Sequence, residues 1–271
     1  MIAILRTGVV IVTTVFYTIF LGLLAIVAAL FNYRDRPGGI YDFVPRVWSK
    51  LILATSGVKV RVHNPERARA GAPRIFVANH VSWFDVTTLA SFLPWPKFVA
   101  KAELFKVPVF GWAIRSVGMV ELQRENRKAA FESYKFAAAQ IQKGTSVVVF
   151  PEGTRGTDYS IRQFKKGPFV LAIAAGVPIV PIVTHGTMET IRKHEIIVRP
   201  GNVDVHLLEP IPTAGLAYDD RDALMVKVRD SMVRAMRELY GVDSPPTRTR
   251  ALKSAGEGVP EPTAEMENRT D

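Results

Sequence analysis

His80 and Asp85 stand five residues apart in the run Asn79-His80-Val81-Ser82-Trp83-Phe84-Asp85. Near neutral pH an imidazole is well suited to take a proton from a hydroxyl, and a carboxylate on its other ring nitrogen fixes the tautomer that does so. Five residues of continuous helix rotate by about 500°, so the pair cannot share one helical face. The two can meet across a turn, with His80 leaving a strand and Asp85 in the first turn of the helix that follows. Taken alone, a packed or capping His80 with Asp85 as a helix N-terminal charge suits the same residues. No convincing third ligand for a metal lies nearby. Ser82 is not surrounded by a G-x-S-x-G elbow and is not read as a nucleophile.

A second constellation is Phe150-Pro151-Glu152-Gly153-Thr154-Arg155, directly after the apolar run Ser146–Val149. A turn at a strand end that offers backbone N–H groups, the Thr154 hydroxyl and the Arg155 guanidinium suits a phosphate. Glu152 would not touch phosphate; it is expected to orient Arg155 or to hold a hydroxyl. A surface turn with an incidental arginine fits the block equally well when it is read alone. Lys101 and Arg124 each follow a candidate strand, and Arg127, Lys165, Lys166 and Gly167 add basic and flexible positions around them. Basic residues recurring at strand ends beside a His/Asp pair point to an anion site. No Walker A or G-x-G-x-x-G pattern occurs, so nucleotide folds gain no support.

These residues need strands that end close together. Candidate strands are 58–62, 75–78, 98–100, 119–122, 146–150, 179–183 and 203–208, and helices are expected at 86–91, 127–142, 168–175 and 219–240, the last capped by Gly241. Strands alternating with helices imply an α/β fold with a mixed, largely parallel sheet flanked by helices. The stretch 177–182, Val-Pro-Ile-Val-Pro-Ile, reads as a buried strand bracketed by prolines and as a wall for an apolar groove.

Ahead of this body, residues 8–31 carry no charge. At 1.5 Å per residue they make about 36 Å of helix, enough to cross a hydrocarbon layer of about 30 Å. The run is longer than the apolar part of a signal peptide and no clear A-x-A site follows, so a retained membrane helix is expected. Arg34, Arg36, Arg46 and Lys50 follow it and only Arg6 precedes it, which puts the body in the cytoplasm if the segment spans. Burial in one leaflet is the alternative. Residues 41–55 have helical apolar spacing and suit an interfacial or a core helix. The expected organisation is membrane-anchoring helices over 1–57, a catalytic domain over 58–241, and a disordered Pro-, Ser- and Glu-rich tail over 242–271.

The formal net charge is +10, with 35 Lys and Arg against 25 Asp and Glu. A basic body is drawn to nucleic acid, anionic membranes or phosphorylated substrates. No RNA- or DNA-reading motif is present, so nucleic acid is not expected as a partner. Cysteine is absent, which excludes disulfides, thiolate metal sites and a cysteine nucleophile.

Taken together, the blocks resemble those of the lysophosphatidic acid (1-acyl-sn-glycerol-3-phosphate) acyltransferase family. Asn79-His80 through Asp85 matches its N-H-x-x-x-x-D block, and residues 118–124 match a block ending in a substrate-binding arginine, Arg124. Residues 150–155 match F-P-E-G-T-R, and 177–182 match a fourth, proline-containing block. The order and spacing of all four fit across roughly residues 75–185. Gln123 departs from the acidic residue that often precedes the arginine. The resemblance implies that His80 deprotonates an acceptor hydroxyl and Asp85 orients it, that Arg124, Arg155 and Glu152 position the glycerol phosphate, and that Lys101, Gly153 and Thr154 join them in binding substrate. It implies a lysophospholipid acceptor and an acyl thioester donor, acyl-coenzyme A or acyl carrier protein, with no metal or bound cofactor. Two other readings stand beside it: a related acyltransferase with a different lysolipid acceptor, and a non-catalytic membrane protein that binds anionic lipids.

Overall fold

The computed structural model describes residues 2–68, 72–122 and 127–247, with backbone alone at 127–132 and 135. Seven strands form one sheet: β1 (Val58–His63), β2 (Ile75–Ala78), β3 (Pro96–Lys101), β4 (Val120–Leu122), β5 (Ser146–Val149), β6 (Ile179–His185) and β7 (Gly201–Leu207). Their order is β1-β7-β6-β2-β5-β3-β4, and every neighbouring pair is parallel except β6 with β7. The mixed, largely parallel α/β sheet expected from the sequence is the sheet that forms.

β2 and β5 are buried along their whole length, because both faces of the sheet are covered. Side chains alternate between the faces. Ile75 and Val77 join one core with Val147, Val149 and Ile179; it is closed by α5 (Arg127–Gln142), α6 (Gly167–Ala175) and α8 (Arg221–Tyr240). Phe76 and Ala78 join the opposite core with Val148, Val180 and Ile182; it is closed by α1 (Ile2–Leu30), α2 (Ile40–Ser56) and α3 (Phe84–Phe92). Residues before position 58 therefore contribute to the same core as the sheet.

The expected apolar helix is present as α1, long and apolar enough to cross a membrane. One face, including Leu21, Gly22, Ala25 and Ala28, is buried against α2 and α4 (Phe110–Ser116). The opposite face leaves Val12, Phe16 and Phe20 more than 60% exposed. Trp48 Nε1 donates to Thr18 Oγ1 at 2.9 Å, and near the other end Val198 N donates to Thr7 Oγ1 at 3.0 Å, so α1 is tied to the body along its length.

The turn between α1 and α2 is held from below. Lys97 Nζ lies 2.9 Å from Asp35 Oδ2, and Trp95 Nε1 donates to Asp35 Oδ1 at 2.7 Å. Asp42 accepts from Trp95 N at 3.0 Å and pairs with Arg46 at 2.8 Å. At the other end of the chain, Ser244 Oγ accepts from Ile161 N at 2.9 Å, and the buried Arg229 binds the carbonyls of Ile161 and Pro245. The first residues of the expected tail are thus packed on the body; positions 248–271 lie outside the described residues.

Candidate active site

β2 ends at Ala78, and Asn79 continues its pairing with a side chain. Asn79 Nδ2 donates to Thr184 O at 2.9 Å and its Oδ1 accepts from Thr184 N at 2.8 Å. This lets the backbone leave the sheet one residue later without stranding the polar groups of β6. His80 then sits at the carboxyl end of β2, where open α/β sheets place their ligands. Its N–H donates to Glu152 Oε1 at 3.0 Å and its carbonyl accepts from Gly156 N at 2.7 Å. Its ring stacks on Phe150, with centroids 4.2 Å apart.

The chain turns at Val81 and Ser82, and Asp85 arrives in the first turn of α3. His80 Nδ1 lies 2.8 Å from Asp85 Oδ2, the contact anticipated across the turn. The same oxygen accepts from Val81 N at 2.7 Å and Ser82 N at 2.8 Å. Asp85 is fully buried, whereas the His80 side chain keeps 15% of its exposure. With Nδ1–H committed to the carboxylate, Nε2 is the nitrogen left to take a proton.

His80 lines a cavity of about 710 Å³. Its walls are apolar: Val10, Leu21 and Gly22 from α1, Trp48 and Ile52 from α2, Phe98 from β3, and Ala113, Ile114 and Val117 from α4 and its end. At the His80 end it meets Lys101, Gly153, Thr154 and Arg155. Residues 177–182 supply the buried strand expected of them, β6, but not the groove wall also expected there. β6 is a central strand whose side chains fill the two cores, so none of those residues reaches the cavity lining.

A second correction concerns Glu152. It does not orient Arg155; its Oε2 accepts from Arg162 Nε at 2.6 Å, while Arg162 also donates to the carbonyl of Thr154. Burial pushes the Glu152 carboxyl up, and the Arg162 charge and the His80 N–H oppose that. Arg155 instead lies over the Trp83 ring at 4.9 Å, and Lys193 Nζ donates to its carbonyl at 3.0 Å. Burial draws the Arg155 pKa down, and the Asp85 carboxylate acts in the other direction. Gly153 has φ +82, a left-handed turn residue that folds the loop back toward the strand end.

Lys101 is exposed at the cavity rim, at the end of β3. Lys166 is turned away and pairs with Asp222 at 2.7 Å. Gly167 makes room for Tyr134, whose hydroxyl would lie 2.1 Å from a Cβ placed there. Gln123 and Arg124 lie outside the described residues, as does the Arg127 side chain. Sequence reasoning missed Arg162 and also Thr187, which donates to Asp85 Oδ1 at 2.5 Å. Neither lies in a recognisable block, and only the chain reversal beyond β5 and β6 brings them in. Among the described residues, no group of three His, Asp or Glu side chains is placed to hold a metal ion.

Comparison with known proteins gives a consistent result. A family model described as Acyltransferase matches residues 59–185. The chloroplastic 1-acyl-sn-glycerol-3-phosphate acyltransferase LPAT1 of Arabidopsis thaliana is 34% identical over 181 residues, 66% of this chain and 50% of that protein. The alpha form of 1-acyl-sn-glycerol-3-phosphate acyltransferase from Homo sapiens is 35% identical over 185 residues, 68% of this chain and 65% of the relative. The 1-acyl-sn-glycerol-3-phosphate acyltransferase of Cocos nucifera is 31% identical over 225 residues, 82% of this chain and 68% of the relative. The chain thus spans about half the length of the chloroplast relatives it matches. The crystal structure of the 1-acyl-sn-glycerophosphate acyltransferase PlsC from Thermotoga maritima superposes with a TM-score of 0.75 at 28% identity, covering 89% of this chain and 98% of that one. Because the matched region carries the His80–Asp85 turn and the 150–155 loop, and the likeness extends to the whole fold, the chain belongs to the 1-acyl-sn-glycerol-3-phosphate acyltransferase family.

Proposed function

We propose that the chain moves a fatty acyl group from an acyl thioester to the sn-2 hydroxyl of 1-acyl-glycerol-3-phosphate, giving phosphatidic acid. The observation that carries this is the His80–Asp85 pair, 2.8 Å apart, opening onto an apolar cavity of about 710 Å³. His80 Nε2 takes the hydroxyl proton as the oxygen attacks the thioester carbonyl carbon. The tetrahedral intermediate then expels the thiolate, which takes up the proton from the imidazolium. Asp85 stabilises that cation between the two steps. A thiolate leaves readily, so the site needs no strong general acid.

In this reading Arg155, at the cavity end, and Lys101, at the rim, hold the phosphate together with Arg124, and the acyl chain lies along the apolar walls. Glu152 acts on His80 through the backbone N–H it accepts. Residues 58–241 form the catalytic domain, with α1 and α2 supplying cavity walls as well as attachment to lipid. Because α1 is tied to the body near both ends, we place it in one leaflet, apolar face outward. The donor is coenzyme A- or carrier-protein-linked.

The test is acyl transfer by purified protein in detergent, with oleoyl-coenzyme A, a panel of lysolipid acceptors, and His80→Ala as control. Thiol release should require the acceptor, yield phosphatidic acid from the glycerophosphate acceptor, and fall by a factor of about 10²–10⁴ in the variant. Faster transfer to other lysolipids would move the assignment to a related acyltransferase. Equal activity in the variant would remove His80 as the base.

A further inference from the structure

The two oxygens of Asp85 are served from different parts of the chain. Oδ2 takes His80 Nδ1 and the amides of Val81 and Ser82, all within five residues. Oδ1 meets Thr187 Oγ1 at 2.5 Å, 102 residues away. Thr187 is fully buried, in the short helix α7 (Thr187–Thr190) that follows β6.

The position of that hydroxyl is tightly determined. Gly186 has φ +98, and a Cβ there would lie 2.1 Å from the Asn202 carbonyl oxygen, so the backbone is pressed against β7. The N–H groups of Gly186 and Met188, on either side of Thr187, donate to the Tyr159 hydroxyl at 2.7 and 3.0 Å. Tyr159 donates in turn to Glu189 Oε2 at 2.5 Å and stacks on His185. From the other side, Ser82 Oγ donates to Ile191 O at 2.9 Å. The loop is therefore held at its start by Tyr159 and β7 and at its end by the His80–Asp85 turn.

We propose that Thr187 is a positioning residue of the catalytic pair: its hydroxyl fixes the rotation of the Asp85 carboxylate, and through it the direction in which His80 presents Nε2. A carboxylate bound at both oxygens cannot rotate without breaking a hydrogen bond on each side. With Oδ1 released, the plane of the carboxylate rocks and the imidazole rocks with it. This rests on His80 being the general base.

The experiment compares Thr187→Val, which keeps the shape and removes the hydroxyl, with Thr187→Ser, which restores it. Both are also built on Asp85→Asn. Thr187→Val should lower kcat about tenfold, part of the factor of 10²–10⁴ that a general base supplies, with KM for both substrates unchanged. Thr187→Ser should recover most of that loss. On the Asp85→Asn background Thr187→Val should cost nothing further, because it acts through Asp85. Wild-type kcat in Thr187→Val, no recovery in Thr187→Ser, or losses that multiply with Asp85→Asn would each overturn the proposal. If Thr187→Val does not fold, Thr187→Ala takes its place with the same readouts. An NMR measurement separates this inference from the reaction itself. The His80 Nδ1 proton resonance should move in Thr187→Val and return in Thr187→Ser. An unmoved resonance overturns the positioning role whatever the assay shows. A resonance that moves in a protein inactive on every acceptor leaves the role standing and removes the function.

Discussion

A carboxylate as buried as Glu152 is tolerable only while both its oxygens are served. One takes the His80 N–H and the other takes Arg162, so this side chain links the 150–155 loop to His80. Arg162→Met should therefore leave Oε2 unsatisfied and cost about 1–3 kcal/mol of stability, the usual penalty for orphaning a buried polar atom. Arg162→Met with Glu152→Gln should cost less than the sum of the two single changes, because a neutral amide needs its partner less. Urea unfolding of the four proteins checks this, and strict additivity would mean that Arg162 and Glu152 are not coupled. Arg162 illustrates what side-chain type alone withholds. An arginine in a stretch without a repeat reads as a solvated charge until the fold places it beside a buried acid.

At the scale of elements, the cavity is only as well defined as the placing of α1 and α2, and the Asp35–Lys97 pair sits where those helices turn. Lys97 is 1% exposed and also donates to Val117 O at 2.6 Å, the carbonyl just past α4, whereas Asp35 keeps 32% of its exposure. Burial lowers the Lys97 pKa and Asp35 pushes it back up. The two halves of the pair should therefore be unequal. Asp35→Ala leaves a buried ammonium without its anion and should cost about 2–3 kcal/mol, somewhat less than a fully buried pair because Asp35 is partly in water. Lys97→Met keeps the apolar stem, lets Asp35 turn to solvent, and should cost under about 1.5 kcal/mol. Thermal melts of the two variants decide it, and the reverse order would show that Asp35 does not support Lys97.

Across the whole molecule, three of the five histidines, His63, His185 and His206, are brought together around Tyr240 from distant parts of the chain. His63 stacks on His206 with centroids 4.1 Å apart, His206 Nε2 lies 2.7 Å from the Tyr240 hydroxyl, and the Tyr240 ring stacks on His185. Burial holds His206 below its ordinary value, His63 and His185 add to this, and Asp204 opposes it. His185 is likewise lowered by burial, against Glu189 and Asp204. Groups whose folded pKa is depressed contribute stability above their unfolded value of about 6.5, and that contribution is lost as pH falls through the folded value. The melting temperature should thus drop as pH goes from about 7 to about 5, and His206→Gln, which keeps a partner for Tyr240, should flatten that slope. Parallel slopes in the two proteins would rule the ring stack out as the cause.

The strands were legible because a buried parallel sheet demands short, continuous apolar runs, and 75–78 and 146–149 are such runs. α5 and α8 were legible from their length and, for α8, from Gly241 at its end. The His80–Asp85 contact was legible as one of two arrangements, since a strand end and a helix start let the pair meet across the turn, while a packed His80 suited the same spacing. α4 and α7, with 7 and 4 residues, were not, because a helical period cannot be recognised in two turns or fewer. What walls the cavity was misassigned for a related reason. Apolarity says that β6 and α1 are both buried in something, but not whether that something is a core, a cavity or a lipid. Two further partners of these acids belonged wholly to the tertiary structure: Arg162 reaches Glu152 and Thr187 reaches Asp85 through chain reversals whose end points depend on packing, and local sequence carries no record of that distance.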